Sequence, residues 1–254
     1  MRAARRLAWA PLLLVSAGCF QGQRVIKVNS DGSGTIEDTL ILGEQLKGLA
    51  AMADKKDEDP KAKMKAAAEA MGPGVTLVSE EKTKDGNLKA VFAFKDISQI
   101  KVEMSPGPDG GEQKSTRKPL TFRLARQGST SVLTVVQPQP ASQADAPKAP
   151  EGMEAMAQGM WGMMKAMAKG LKLTTVVEVN GRLLKSSSPH ADAKAARVTL
   201  FDIDFDQVTA DEANFKKFTK AGSDPDTMDP KLLQGVKGVK INPGAEVTIE
   251  FTGR

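Results

Sequence analysis

Period-two alternation of apolar residues around glycine-bearing turns constrains this chain more than any other feature. Side chains on a strand alternate between faces, so such a pattern buries one set only if the strand is paired. In residues 24–29 and 35–42 the apolar positions Ile26, Val28, Ile36, Leu40 and Leu42 follow this rule, and Asp31-Gly32-Ser33-Gly34 between them supplies the positive-φ residues of a reversal. The pattern recurs in residues 75–79 with 88–94 around Asp85-Gly86, and in 120–125 with 132–136 around Gln127-Gly128. Residues 171–179, Asn180-Gly181 and 182–186 predict another hairpin, since Asn-Gly suits a type I′ turn. Residues 198–205 and 246–251 read as further strands.

Helical signals are fewer. One helix is expected from about Glu44, with Leu46, Leu49 and Met52 on one face, until the charged run 54–59 interrupts it. Asp59 and Pro60 then read as N-cap and first residue of a second helix, which carries Met64, Ala67, Ala68 and Met71 up to Gly72-Pro73. Residues 151–169 and 210–220 complete the set. Residues 104–119 have loop composition, and 137–150 (QPQPASQADAPKAP) is a linker candidate, because its four prolines remove donors and favour extended chain. Grouped strands with few helices predict an α+β fold, an antiparallel sheet built of hairpins with helices packed on one face. Hairpin, helix and hairpin recur on both sides of the linker, which suggests two similar halves, 24–136 and 151–254, packed together.

Residues 1–19, MRAARRLAWAPLLLVSAGC, have the layout of an exported precursor: Arg2, Arg5 and Arg6 form a positive start and residues 7–15 a short apolar core. Nine apolar residues fall well below the ~20 needed to span a bilayer, and no later segment reaches that length uncharged. Ser16-Ala17-Gly18-Cys19 resembles the lipobox of bacterial lipoproteins, in which small residues admit the signal peptidase and the thiol carries a diacylglyceryl group; Ser16 stands where that family prefers Leu. The resemblance implies a signal peptide over 1–18, acylation of Cys19 and a lipidated tether over 19–23. Cys19 is the only cysteine in the chain, which suits a thiol reserved for acylation. Several buried acyl chains, at roughly 0.8 kcal/mol per methylene, make such an anchor effectively permanent. In the lipoprotein sorting rule, Asp directly after the cysteine retains a protein at the inner membrane. Phe20 stands there instead, which implies an outer-membrane location facing the periplasm.

The basic balance belongs partly to the leader. The chain has 36 Lys and Arg against 31 Asp and Glu, and losing the three arginines of the leader leaves 33 against 31, a net +2. An exported chain with near-balanced charge is not expected to bind nucleic acid, which takes a clustered basic stripe.

The most unusual segment is EGMEAMAQGMWGMMKAMAKG, residues 151–170. At ~100° per residue, Met153, Met156, Met160, Met163, Met164 and Met167 share one arc of the helix, with Trp161 on its border. Gly159 and Gly162 each cost about 1 kcal/mol relative to Ala, so the helix needs a surface to pack against. Methionines on such a stripe most often fill a core. The sharper reading is that they line a groove for an acyl chain or an apolar partner. Copper(I) is disfavoured, since His and Cys are absent from the segment.

Other motifs point to structure rather than chemistry. Asp202, Asp204 and Asp206 in FDIDFD alternate with Phe201, Ile203 and Phe205, which predicts three carboxylates on the solvated face of a strand. A calcium loop would place a turn-forming Gly where Gln207 and Val208 stand. Asp31-Gly32-Ser33-Gly34 is followed by strand alternation, not by the helix that a phosphate cradle needs. His190, the only histidine, lies near Ser186, Ser188 and Asp192 in a polar loop. A catalytic base needs a rigid scaffold, so neither an enzyme nor a metal or other cofactor is expected.

Taken together, the lipobox, the DGSGTIEDTLIL hairpin, the helical insertion after it and VVEVNGRLLKSSSP resemble the LppM-like bacterial envelope lipoproteins. What the resemblance implies is an α+β module facing the envelope space, with lipid binding in some relatives. The expected function is that of a membrane-anchored, non-enzymatic envelope protein that meets an apolar ligand or an envelope protein partner through residues 153–167. The alternative is a structural or assembly protein with no small ligand.

Overall fold

The computed structural model describes residues 20–43, 60–83, 87–104, 119–138, 161–162, 165, 168–221 and 230–253. The expected helix from Glu44, the turn Asp85-Gly86, nearly all of the 104–119 loop and 137–150 linker, and most of the methionine-rich segment lie outside them.

The alternating segments become strands. β1 (Gln21–Val28) and β2 (Gly34–Ile41) form the first hairpin. Its turn is held by Asp31, whose Oδ1 accepts from the backbone N–H of Ser33 at 2.9 Å and from its hydroxyl at 2.6 Å. β3 (Thr76–Lys82) and β4 (Leu88–Phe94) form the second hairpin. After the short strand β5 (Lys101–Val102) come β6 (Leu120–Gln127) and β7 (Thr130–Val136), the third hairpin, turning at Gly128 with φ 62°. Later strands are β8 (Lys172–Val179), β9 (Gly181–Ser186), β10 (Ala191–Asp192), β11 (Arg197–Asp204), β12 (Val239–Ile241) and β13 (Glu246–Gly253).

These strands make two sheets. The larger has the order β10-β11-β8-β1-β2-β4-β3, with β12 also pairing β11; the smaller has the order β5-β6-β7-β13-β9. All pairs are antiparallel except β1 with β8, which run parallel with Val25 opposite Val176 and Ile26 opposite Val177. Each sheet takes strands from both sides of residues 137–150, since β1 pairs β8 and β7 pairs β13.

The apolar faces of the two sheets share one core. Ile26, Ile36 and Phe92 of the larger sheet belong to the same buried cluster as Phe122, Leu133 and Phe251 of the smaller. This corrects the expected α+β arrangement of a single sheet with helices on one face. About half of the described residues are strand, and a second sheet rather than a helical layer covers the first. Alternation specifies that one face is buried but not what buries it.

Three α-helices occur among the described residues. α1 (Pro60–Met71) matches the expected second helix, and its Ala68 and Met71 join the shared core. α2 (Phe205–Val208) is a single turn, and α3 (Glu212–Lys220) is capped by Asp211, whose side chain accepts from Asn214 N. Phe215 and Phe218 of α3 pack with Phe201, Ile203, Leu233 and Val236 in a second, smaller cluster.

The Asn180-Gly181 step is a second correction. It does not close a hairpin: β8 lies in the larger sheet and β9 in the smaller, so the chain changes sheets there. Asn180 N donates to the Val28 carbonyl at 2.8 Å, which ends β8 against β1. Gly181 is absent from the positive-φ residues, and a Cβ on it would lie 1.8 Å from the Thr252 carbonyl oxygen of β13. Glycine serves here for close strand approach rather than for turn geometry.

Candidate functional site

Three places bring polar or exposed chemistry together. The first lies inside. Arg24 shares its strand face with Ile26 and Val28, and sits opposite Asp38 of β2 and Thr175 of β8. Its guanidinium grips the Asp38 carboxylate in a fork, Nε to Oδ1 at 2.7 Å and Nη2 to Oδ2 at 2.6 Å, and Nη1 donates to the Glu103 carbonyl at 2.7 Å. Thr175 Oγ1 donates to the next carbonyl, that of Met104. Burial alone would lower the Arg24 pKa, but the charge and hydrogen bonds of Asp38, with the charge of Glu103, outweigh it and raise the pKa. Met104 packs against both apolar clusters. The polar row therefore marks where one cluster gives way to the other. With its donors aimed at protein acceptors, it holds residues 103–104 down and offers nothing to a substrate.

The second place is the end of the larger sheet where β1 begins. The Phe20 carbonyl accepts from Lys172 N at 3.2 Å, and Gln21 lies opposite both Ile41 and Lys172. The strand thus opens within the stretch 19–23 read as a tether. Ile41 is 41% exposed there. Asp204 accepts from Gln207 N at 3.2 Å, and Asp206 from Gly170 N at 2.8 Å. Of the FDIDFD carboxylates, only Asp202 keeps a plain strand role, accepting from Thr174 Oγ1 at 2.8 Å. The run leaves the strand at Asp204 because that side chain caps α2 instead.

Trp161 is the one residue of the proposed ligand or partner face among the described residues. It packs half-buried against the Phe201 and Phe215 cluster, with the Lys165 ammonium 5.1 Å from its ring centroid. Its indole Nε1 is buried with no hydrogen-bond partner among the described residues. Met153, Met156, Met160, Met163, Met164 and Met167 lie outside those residues, as does Cys19.

The third place is the opposite end, where a recess of about 580 Å³ is lined by Lys27, Asn29, Glu178, Asn180 and Lys194 among others. A neighbouring one of about 390 Å³ is flanked by Asp31, Asp96 and Arg126. Hydrogen bonds from Ser33 and Ser98 hold the Asp31 and Asp96 carboxyls below the usual range. Both acids thereby serve as turn caps. Around His190, the side chains of Ser188 and Asp192 serve the loop backbone: Ser188 Oγ accepts from His190 N–H at 3.0 Å, and Asp192 accepts from Lys194 N and Ala195 N. Among the described residues, no group of three His, Cys, Asp or Glu is placed to hold a metal ion, and no helix is long and apolar enough to cross a membrane.

Reasoning on sequence missed the Arg24–Asp38 pair. The signal was present, because Arg24 has the same parity in β1 as Ile26 and Val28, so the alternation that buries them buries it too.

No protein-family model matches the chain, and no curated protein matches it. Among solved structures, the NMR structure of the folded domain of LppM from Mycobacterium tuberculosis is similar over 96% of this chain and 95% of that one, at 10% identity and a TM-score of 0.33.

Proposed function

We propose that this protein is a lipid-anchored, non-enzymatic module of the bacterial cell envelope, held by acylated Cys19 and meeting an apolar ligand or partner through residues 153–167. One observation carries the anchor: β1 begins at Gln21, two residues after the end of the lipobox-like Ser16-Ala17-Gly18-Cys19. A cut before Cys19 therefore leaves every described strand whole, β1 included. Phe20 after the cysteine favours the outer membrane, facing the periplasm. The non-enzymatic reading is supported by the way Ser188, Asp192, Asp31 and Asp96 are spent on turns. The apolar-ligand reading is supported by Trp161, which packs half-buried against the Phe201 and Phe215 cluster.

Mass spectrometry of the protein isolated from its native host tests both parts. The expected result is an N-terminus at Cys19 carrying diacylglyceryl, and native spectra in which a lipid stays bound to the folded body. An intact N-terminus or a bare thiol refutes the anchor. Acylated protein with no retained lipid refutes the ligand reading and leaves the partner one.

A further inference from the structure

We infer that the end of the larger sheet at which β1 begins is a membrane-apposed surface, seated on the headgroups of an anionic bilayer. The inference rests on the anchor proposed above and adds which face of the molecule meets the lipid.

Chain length carries the first part. Consecutive Cα atoms are about 3.8 Å apart, so Cys19 stays within one residue of Phe20, whose carbonyl is already bonded to Lys172 N. Gln21 is fixed between Ile41 and Lys172. An acyl chain on Cys19 thus leaves only the cysteine side chain and its thioether-linked glycerol as a tether, too short to let the opposite end of the body reach the membrane. The eight residues of β1, rising about 3.3 Å each, carry the polar recess at the Asn29 turn about 25 Å away from that surface.

Surface chemistry carries the second part. Ile41 is exposed beside the anchor, and Phe20, Leu42 and Leu171 are half-buried. Lys172, opposite Gln21, Lys169, two residues before Leu171, and Lys165, over the Trp161 ring, are exposed. Lysine stems lie along apolar surface while their ammonium groups reach for phosphate, and tryptophan suits the same interface, where Trp161 sits under Lys165. The carboxylates nearest Lys172, Asp204 and Asp206, accept from the N–H groups of Gln207 and Gly170, and towards the β3 edge of this end Glu81 lies opposite Lys89. Apolar contact with a basic rim matches an anionic lipid surface.

The test uses the acylated protein in vesicles. Acylation blocks the only native thiol, so Ile41→Cys and, at the far end, Lys194→Cys each give a single labelling site for a nitroxide. In vesicles of phosphatidylcholine mixed with phosphatidylglycerol, the label at 41 is expected to be protected from a water-soluble relaxant and relaxed by oxygen, while the label at 194 stays aqueous. Combined Lys165→Glu, Lys169→Glu and Lys172→Glu substitutions, or vesicles of phosphatidylcholine alone, are expected to lessen the protection at 41 without equalising it with 194, because the acyl anchor still holds that end at the surface. Trp161, the only tryptophan left once Trp9 goes with the leader, gives an independent readout: brominated phosphatidylcholine should quench it in the mixed vesicles. A label at 41 as aqueous as that at 194, with Trp161 unquenched, overturns the inference. Intact mass of the same sample separates the two ideas. Absence of the diacylglyceryl group refutes the anchor, whereas acylated protein with an aqueous position 41 refutes the orientation alone.

Discussion

At the residue scale, the Arg24–Asp38 pair shows how a charge is kept inside a sandwich. Both side chains are largely buried, at 7% and 13% exposure, and the fork leaves few donors unanswered. Desolvating two ions costs several kcal/mol, which their attraction offsets only when the geometry is good and the spare donors are satisfied. Removing one partner strands the other. Asp38→Ala is expected to lower unfolding free energy by about 3–5 kcal/mol in urea titration, whereas Arg24→Met with Asp38→Leu should return most of that loss. The surface pairs differ. Arg123 and Glu246, 2.5 Å apart but 63% and 46% exposed, should change stability by less than about 1 kcal/mol when either is neutralised. Residue parity made the inward Arg24 legible in the sequence; its partner across the hairpin was legible only through a register that the turn fixes. The acyl-accepting role proposed for Cys19 is read from the lipobox-like residues, and of the face that runs from Met153 to Met167 only Trp161 is among the described residues.

At the element scale, three hairpins were legible because each is local: a turn of a few residues joins two alternating runs, and their pairing follows. The Asn180-Gly181 step was misread for the same reason, because an Asn-Gly pair between two alternating runs looks identical whether the second strand folds back or crosses to another sheet. The distinction lies in Thr252, far along the chain, whose carbonyl occupies the space beside Gly181. Asparagine tolerates a left-handed turn position but not a missing gap. Gly181→Asn is therefore expected to destabilise by about 2 kcal/mol or more. Gly128→Asn, at φ 62° with nothing within 4 Å of where a Cβ would lie, should cost well under about 1 kcal/mol. Thermal unfolding of the two variants side by side checks this. The bulge of β11 between Thr199 and Phe201 is equally non-local in origin. Asn242 Nδ2 donates to the Thr199 and Leu200 carbonyls, each at 3.1 Å, and so answers the groups that the bulge frees. Its effect is to bury two consecutive residues, Leu200 in the shared core and Phe201 in the smaller cluster.

At the scale of the whole molecule, the two sheets interleave strands that lie far apart in sequence. Alternation predicted most of the strands, yet β1 with β8 is a parallel pairing between residues 21–28 and 172–179, which no local pattern encodes. Strands on either side of residues 137–150 are therefore mutual partners, and removing one set exposes edges on the other. A fragment of residues 20–138 is expected to lack a cooperative thermal transition, and adding residues 139–254 in trans should restore it. Circular dichroism of the separate and mixed fragments measures both. A fragment that melts cooperatively by itself would mean that the first half closes its own core.

The parallel partner of β1 also bears on the order of events in the cell. On the proposed export route, the N-terminal strand leaves the translocation channel first, but the residues that flank it on one side in the larger sheet arrive only from Lys172 onward, and β13, which joins β7 to β9 in the smaller sheet, comes later still. Until then the region around Cys19 has only β2 to pair with. On that route, processing enzymes that need an extended substrate would meet one as a matter of synthesis order, and lipid would be attached before the body it is to carry has closed.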